Sequence, residues 1–127
     1  MINKKAQELL QKIQKNITDN GINVDELVKE LTELRIFAVA EKMPRLAKAI
    51  RLTFEHIEEY KGFFIPIPED EMVDEEGEVI GVIETSSDSD TDSLLYLISI
   101  MSDAQNKMNH EEIKEYNEAM KEYAEEN

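Results

Sequence analysis

A chain of 127 residues, 41% apolar and 34% charged, is too hydrophobic for a disordered polymer and large enough for one modest core. It contains no cysteine, which excludes a disulfide framework, a thiol nucleophile and a cysteine-based zinc site. The net charge of −15 is lopsided: residues 1–61 set 11 basic against 10 acidic side chains, whereas residues 62–127 set 3 against 19. That balance disfavours direct contact with nucleic acid or anionic membrane and favours a basic partner or simply solubility.

The amino-terminal stretch MINKKAQELLQKIQK is interrupted by Gln7, Glu8, Gln11 and Lys12, so it lacks the apolar run of a signal peptide. Instead Ile2, Ala6, Leu9, Leu10, Ile13 and Ile17 recur at spacings of three and four, the stripe of an amphipathic helix. Gly21 is expected to close it as a left-handed cap, with Ile22 folding back on the last turn. Asn23 and Glu26 form a capping box, and Ile22 and Leu27 a staple, for a second helix carrying Val24, Leu27, Val28, Leu31, Leu34, Phe37 and Ala38. Pro44 disfavours helical backbone before it and suits a first helical turn, leaving either a new helix or a kinked continuation. Leu46, Ile50, Phe54, Ile57 and Tyr60 are its buried stripe, and Gly62 with Phe63 repeats the expected cap.

The period changes after Gly62. FFIPIP at 63–68 alternates Phe63, Ile65 and Ile67 with Phe64, Pro66 and Pro68, a pattern that two prolines confine to an edge strand or an extended arm. EMVDEEGEVIGVIE at 71–84 places a short turn at Asp74–Gly77 between apolar runs, as a small β-hairpin does. Leu94, Leu95, Leu97, Ile98, Met101, Ala104 and Met108 then mark the most apolar helix; its run LLYLISIM is less than half a membrane span. Asn109 with Glu112 is a second capping box and Met108 with Ile113 a second staple. The last helix sets Ile113, Tyr116, Met120, Tyr123 and Ala124 opposite Glu111, Glu115, Glu118 and Glu122. The expected architecture is mainly α: about five amphipathic helices in one bundle-like domain, 1–127, with a small β-hairpin or edge-strand insertion around 63–84. Residues 69–92 form an acidic hairpin and connector between the two helical parts.

Candidate chemistry is sparse. ETSSDSDTDS at 84–93 sets Asp88, Asp90 and Asp92 at alternate positions, like the start of a calcium loop. The glycine needed at position six is Ser93 and the bidentate glutamate at position twelve is Ser99, so these are weak metal candidates. The competing reading is a polar connector that caps the helix at Leu94 through Asp90, Thr91 or Asp92. His56 and His110 lack the spacings of a zinc protease or a di-iron bundle; a partly exposed histidine near a helix end accounts for His56. The glutamates of the last helix oppose an apolar stripe and stay solvated, unlike paired catalytic carboxylates. No glycine-rich phosphate loop or serine elbow is present among four glycines.

Lys42, Arg45, Lys48 and Arg51 recur every three residues, which winds a basic band about −60° per step around the helix. Pairing with Glu41, Glu55 or the acidic block is the expected fate of that band. The leading functional expectation is a non-enzymatic helical interaction or assembly protein, cytoplasmic, without cofactor, able to self-associate. Its candidate arm is Phe63, Phe64, Ile65 and Ile67, suited to adding a strand to a partner. The alternative is an acidic inhibitor, immunity protein or nucleic-acid mimic that presents Glu69, Asp70, Glu71, Asp74, Glu75 and Glu76 to a basic partner. Calcium binding is a third and lesser reading.

Overall fold

The computed structural model describes residues 3–65, 71–73, 79–82 and 90–126. Five helices dominate: α1 (Lys4–Asn20), α2 (Val24–Ala40), α3 (Pro44–Tyr60), α4 (Asp90–Ser102) and α5 (Lys107–Glu126). They pack as a ring of neighbours, α1 on α2, α2 on α3, α3 on α5, α5 on α4 and α4 on α1. Each helix therefore buries a stripe against two others, the arrangement that amphipathic faces of moderate width dictate. No helix among the described residues is long and apolar enough to cross a membrane.

The expected stripes supply the core: Ala6, Leu10, Ile13 and Ile17 from α1; Leu27, Leu31, Leu34 and Ala38 from α2; Leu46, Ile50 and Ile57 from α3. Helix α4 buries Leu94, Leu97, Ile98 and Met101, and α5 buries Ile113, Tyr116 and Met120. Gln7 Nε2 donates to the Ser102 carbonyl at 2.8 Å, fastening α1 to the end of α4.

The helix ends follow and correct the sequence pattern. Gly21 ends α1 at φ 72 and ψ −157, its N–H on the Ile17 carbonyl. This is not the expected left-handed cap but a region that glycine alone occupies without strain. Asn23 caps α2 by accepting the Glu26 N–H at 3.3 Å, while the Glu26 carboxylate accepts from Asn16 and leaves the box half closed. Two separate helices meet at Pro44, which stands in the first turn of α3. The turn between them is a Schellman motif, with Met43 N–H on the Ala38 carbonyl and Lys42 N–H on that of Val39, both at 3.0 Å. Lys42 takes the left-handed position at φ 58.

At the end of α3 the left-handed residue is Lys61, φ 60, and not the expected Gly62. A side chain at Gly62 would meet the Phe64 ring at 3.0 Å, so close packing accounts for this glycine. Helix α5 starts earlier than the Asn109–Glu112 box predicts. Asn106 accepts the N–H groups of Met108 (2.9 Å) and Asn109 (3.3 Å), and Met108, 75% exposed, staples nothing.

Phe63–Ile65 is neither an edge strand nor a free arm. Phe63 and Ile65 are core residues, and only Phe64 between them is exposed. The Ile65 carbonyl accepts from Ser93 Oγ at 2.5 Å, and that hydroxyl lies 3.2 Å from the Tyr116 hydroxyl. Beyond this strap, Glu71–Val73 (β1) and Val79–Val82 (β2) pair antiparallel in the register Glu71 to Val82 and Met72 to Gly81. The turn expected at 74–77 lies outside the described residues.

Candidate functional site

The site begins with the turn that reverses the chain from α2 to α3. Because Lys42 and Met43 close a Schellman turn and Pro44 opens the next helix at once, the end of α2 and the start of α3 lie side by side. Between them is a cleft of about 670 Å³ with an apolar floor of Val39, Met43, Pro44 and Ala47. Its rim is basic: Arg35 from α2, Lys42 from the turn, Lys48 and Arg51 from α3. The apolar surface continues onto α2, where Ile36 is 66% and Val39 54% exposed. Large apolar groups standing together in water on one helix face mark an interaction surface more often than isolated ones do.

The expected neutralisation of the basic band is partial. Arg51 lies 3.7 Å from Glu55 and Arg45 4.0 Å from Glu111, both solvated pairs that contribute little to stability. Among the described residues no carboxylate pairs with Lys42 or Lys48. The Lys48 side chain instead faces Lys121 of α5, and the closeness of that second amine, with its like charge, holds the Lys48 pKa below the ordinary lysine value. Arg35 keeps a buried Nε–H without a partner among the described residues. The groove thus concentrates positive charge and a donor on a protein of net charge −15, an arrangement that suits a carboxylate-bearing chain.

The residues proposed from sequence lie elsewhere. Phe63 and Ile65 serve the core, Phe64 is 45% exposed, and Ile67 lies outside the described residues. Of the acidic set, Glu71 begins β1, whereas Glu69, Asp70, Asp74, Glu75 and Glu76 lie outside the described residues. Asp88 does too. Asp90 and Asp92 stand in the first turn of α4. The described residues contain no group of three side chains placed to hold a metal ion.

His56 is not the partly exposed residue expected but a buried one, 5% exposed. Its Nε2 accepts the Phe64 N–H at 3.1 Å, which places the imidazole proton on Nδ1. The rings of Tyr60, Phe63 and Tyr123 surround it, and burial lowers its pKa. This histidine is a strut for the strap at 61–65.

Arg35, Ile36 and Val39 went unnoticed in the sequence. The available signal was that Ile36 and Val39 fall beside, and not on, the stripe of Leu31, Leu34 and Ala38. No protein-family model matches the chain, and no curated protein or solved structure matches it.

Proposed function

We propose that the chain is a non-enzymatic interaction or assembly protein of the cytoplasm, a single domain that engages a protein partner through the α2–α3 groove. One observation carries this reading: exposed Ile36 and Val39 adjoin an apolar cleft rimmed by Arg35, Lys42, Lys48 and Arg51. Burying that apolar surface supplies affinity, while the cations select a partner with complementary charge. The β1–β2 pair acts as a small hairpin insertion in the acidic stretch 69–92, linking the two helical parts.

The test combines light scattering on the purified chain with affinity capture, using wild type and an Ile36→Asp/Val39→Asp variant. Wild type is expected to associate with itself or retain a discrete partner, and the variant to lose that association with unchanged helicity. A partner-free monomer would remove the basis of the reading. The alternative, an acidic inhibitor or nucleic-acid mimic, rests on eleven acidic residues between Glu69 and Asp92 with no basic one among them. It predicts binding to a basic protein that survives the Ile36/Val39 change and disappears when those acids are neutralised.

A further inference from the structure

We propose that the cleft between α3 and α5 binds a small, multiply charged oxyanion of the phosphate class, free in solution. The inference goes beyond the interaction reading and does not rest on it. The acidic half of the chain, residues 62–127, holds only three cations, Lys107, Lys114 and Lys121. They stand seven residues apart in α5, and seven residues of helix fall about 20° short of two full turns, so all three share one face. Helix α5 packs on α3, and there the cations of the two helices converge. Arg45, Lys48, Lys114 and Lys121 line one cleft of about 370 Å³; Lys107 lines a neighbouring cleft that also includes Arg45.

Two further observations distinguish this cleft from a solvated surface. The Lys48 and Lys121 side chains face each other, and the nearness of the second amine lowers the Lys48 pKa. Like charges so placed repel, and an anion between them removes the repulsion. Among the described residues no carboxylate pairs with Lys48, Lys114 or Lys121, Arg45 stands 4.0 Å from Glu111, and Glu118 is the one acid lining the cleft. The second observation is Asn117, which also lines the cleft and is 6% exposed. Its Nδ2 donates to the Arg45 carbonyl at 3.4 Å and ties α5 to α3, while its Oδ1 is buried with no partner among the described residues. Packed cores rarely leave that shortfall. The volume lies at the lower end for small-molecule sites, and one arginine fork beside three ammonium groups suits phosphate oxygens. A carboxylate brings a single charge, whereas a phosphate-class anion brings enough to answer both facing amines.

Pyrophosphate is the probe, titrated into the full-length chain by isothermal calorimetry at constant ionic strength. The expected Kd is about 1 mM or lower, with inorganic phosphate weaker. Lys114→Gln/Lys121→Gln, at positions outside the α2–α3 groove, is expected to weaken binding about ten-fold or more. Helicity should hold and the melting temperature without anion should not fall, because the change removes a repulsion. The control Lys4→Gln/Lys5→Gln, which takes the same charge from the start of α1, is expected to alter Kd by less than about two-fold. In wild type, amide chemical shifts under pyrophosphate should move chiefly at 45–48 and 114–121, a readout that does not depend on a variant folding. Wild type without binding at about 10 mM pyrophosphate overturns the proposal. So do a double variant that binds like wild type, a control that loses as much, and shifts centred elsewhere.

Discussion

At the scale of single residues, backbone and protonation requirements are sharper than composition suggests. Gly21 holds a φ and ψ pair that a side chain does not tolerate, so Gly21→Ala is expected to cost about 1–3 kcal/mol in urea unfolding. His56 accepts a backbone N–H while burial depresses its pKa below 6.5. The unfolded chain therefore binds the proton more readily. The contribution of neutral His56 is fully present above about pH 6.5 and is lost as pH falls through the lower folded-state value. The strap, with Phe63 and Ile65, is expected to loosen with it. Glu55, Glu58 and Glu59 line the cleft beside His56, and Tyr60 and Tyr123 pack on its ring. Thermal melts from pH 8 to pH 5 should show a declining midpoint, with a shallower decline in His56→Gln.

Glu30 has the opposite sign. Its carboxyl is buried in α2 beside Asn16, and burial first, then the nearby Glu26 charge, raise its pKa above 4.5 against the hydrogen bond from Asn16. Its favourable contribution is complete below the unfolded-state value and is lost as pH rises through the folded one. Glu30→Gln is therefore expected to raise the melting temperature at pH 7, with the gain shrinking as pH approaches 4.5. A gain that is constant with pH would indicate that burial of the charge is not the cause.

At the scale of elements, caps and clamps set the limits of the helices. Asn106, not Asn109, accepts the first free N–H groups of α5. Asn106→Ala is expected to destabilise by about 1 kcal/mol, and Asn109→Ala, whose amide meets only the exposed Asp103 carbonyl, by less than about 0.5 kcal/mol. Ser93 ties α4 to the strap through the Ile65 carbonyl and to α5 through Tyr116. Ser93→Ala leaves a buried acceptor short of its donor and is expected to cost about 1–3 kcal/mol, read as a fall in the urea midpoint. A serine standing where a calcium loop needs its turn glycine is thus a clamp, and nothing within ETSSDSDTDS itself could reveal a partner 28 residues away in the strap.

At the scale of the whole molecule, charge and shape part company. Internal pairing is the expected fate of the basic band on residues 42–51, and Arg51 and Arg45 do pair, at the surface. Arg35 joins the band only because the α2–α3 turn brings the two helix ends together. Since Ile36 and Val39 are exposed and lie outside the buried core, the Ile36→Asp/Val39→Asp change is expected to shift stability by no more than about 0.5 kcal/mol. A larger loss in denaturant unfolding would show that this face is structural and not an interaction surface.

Helical content, the order of the five helices and most of their buried stripes follow from local periodicity, because a 3.6-residue repeat of apolar side chains is written in neighbouring positions. Caps were legible where the signal is local, as at Asn23, and misplaced where competing polar residues stand close together, as at Asn106 and Asn109. The fate of Phe63 and Ile65, the burial of His56 and the convergence of Arg35 with Lys48 were decided by tertiary structure. Each depends on which helix faces are adjacent, a matter of contacts between residues far apart in the chain that no local period encodes.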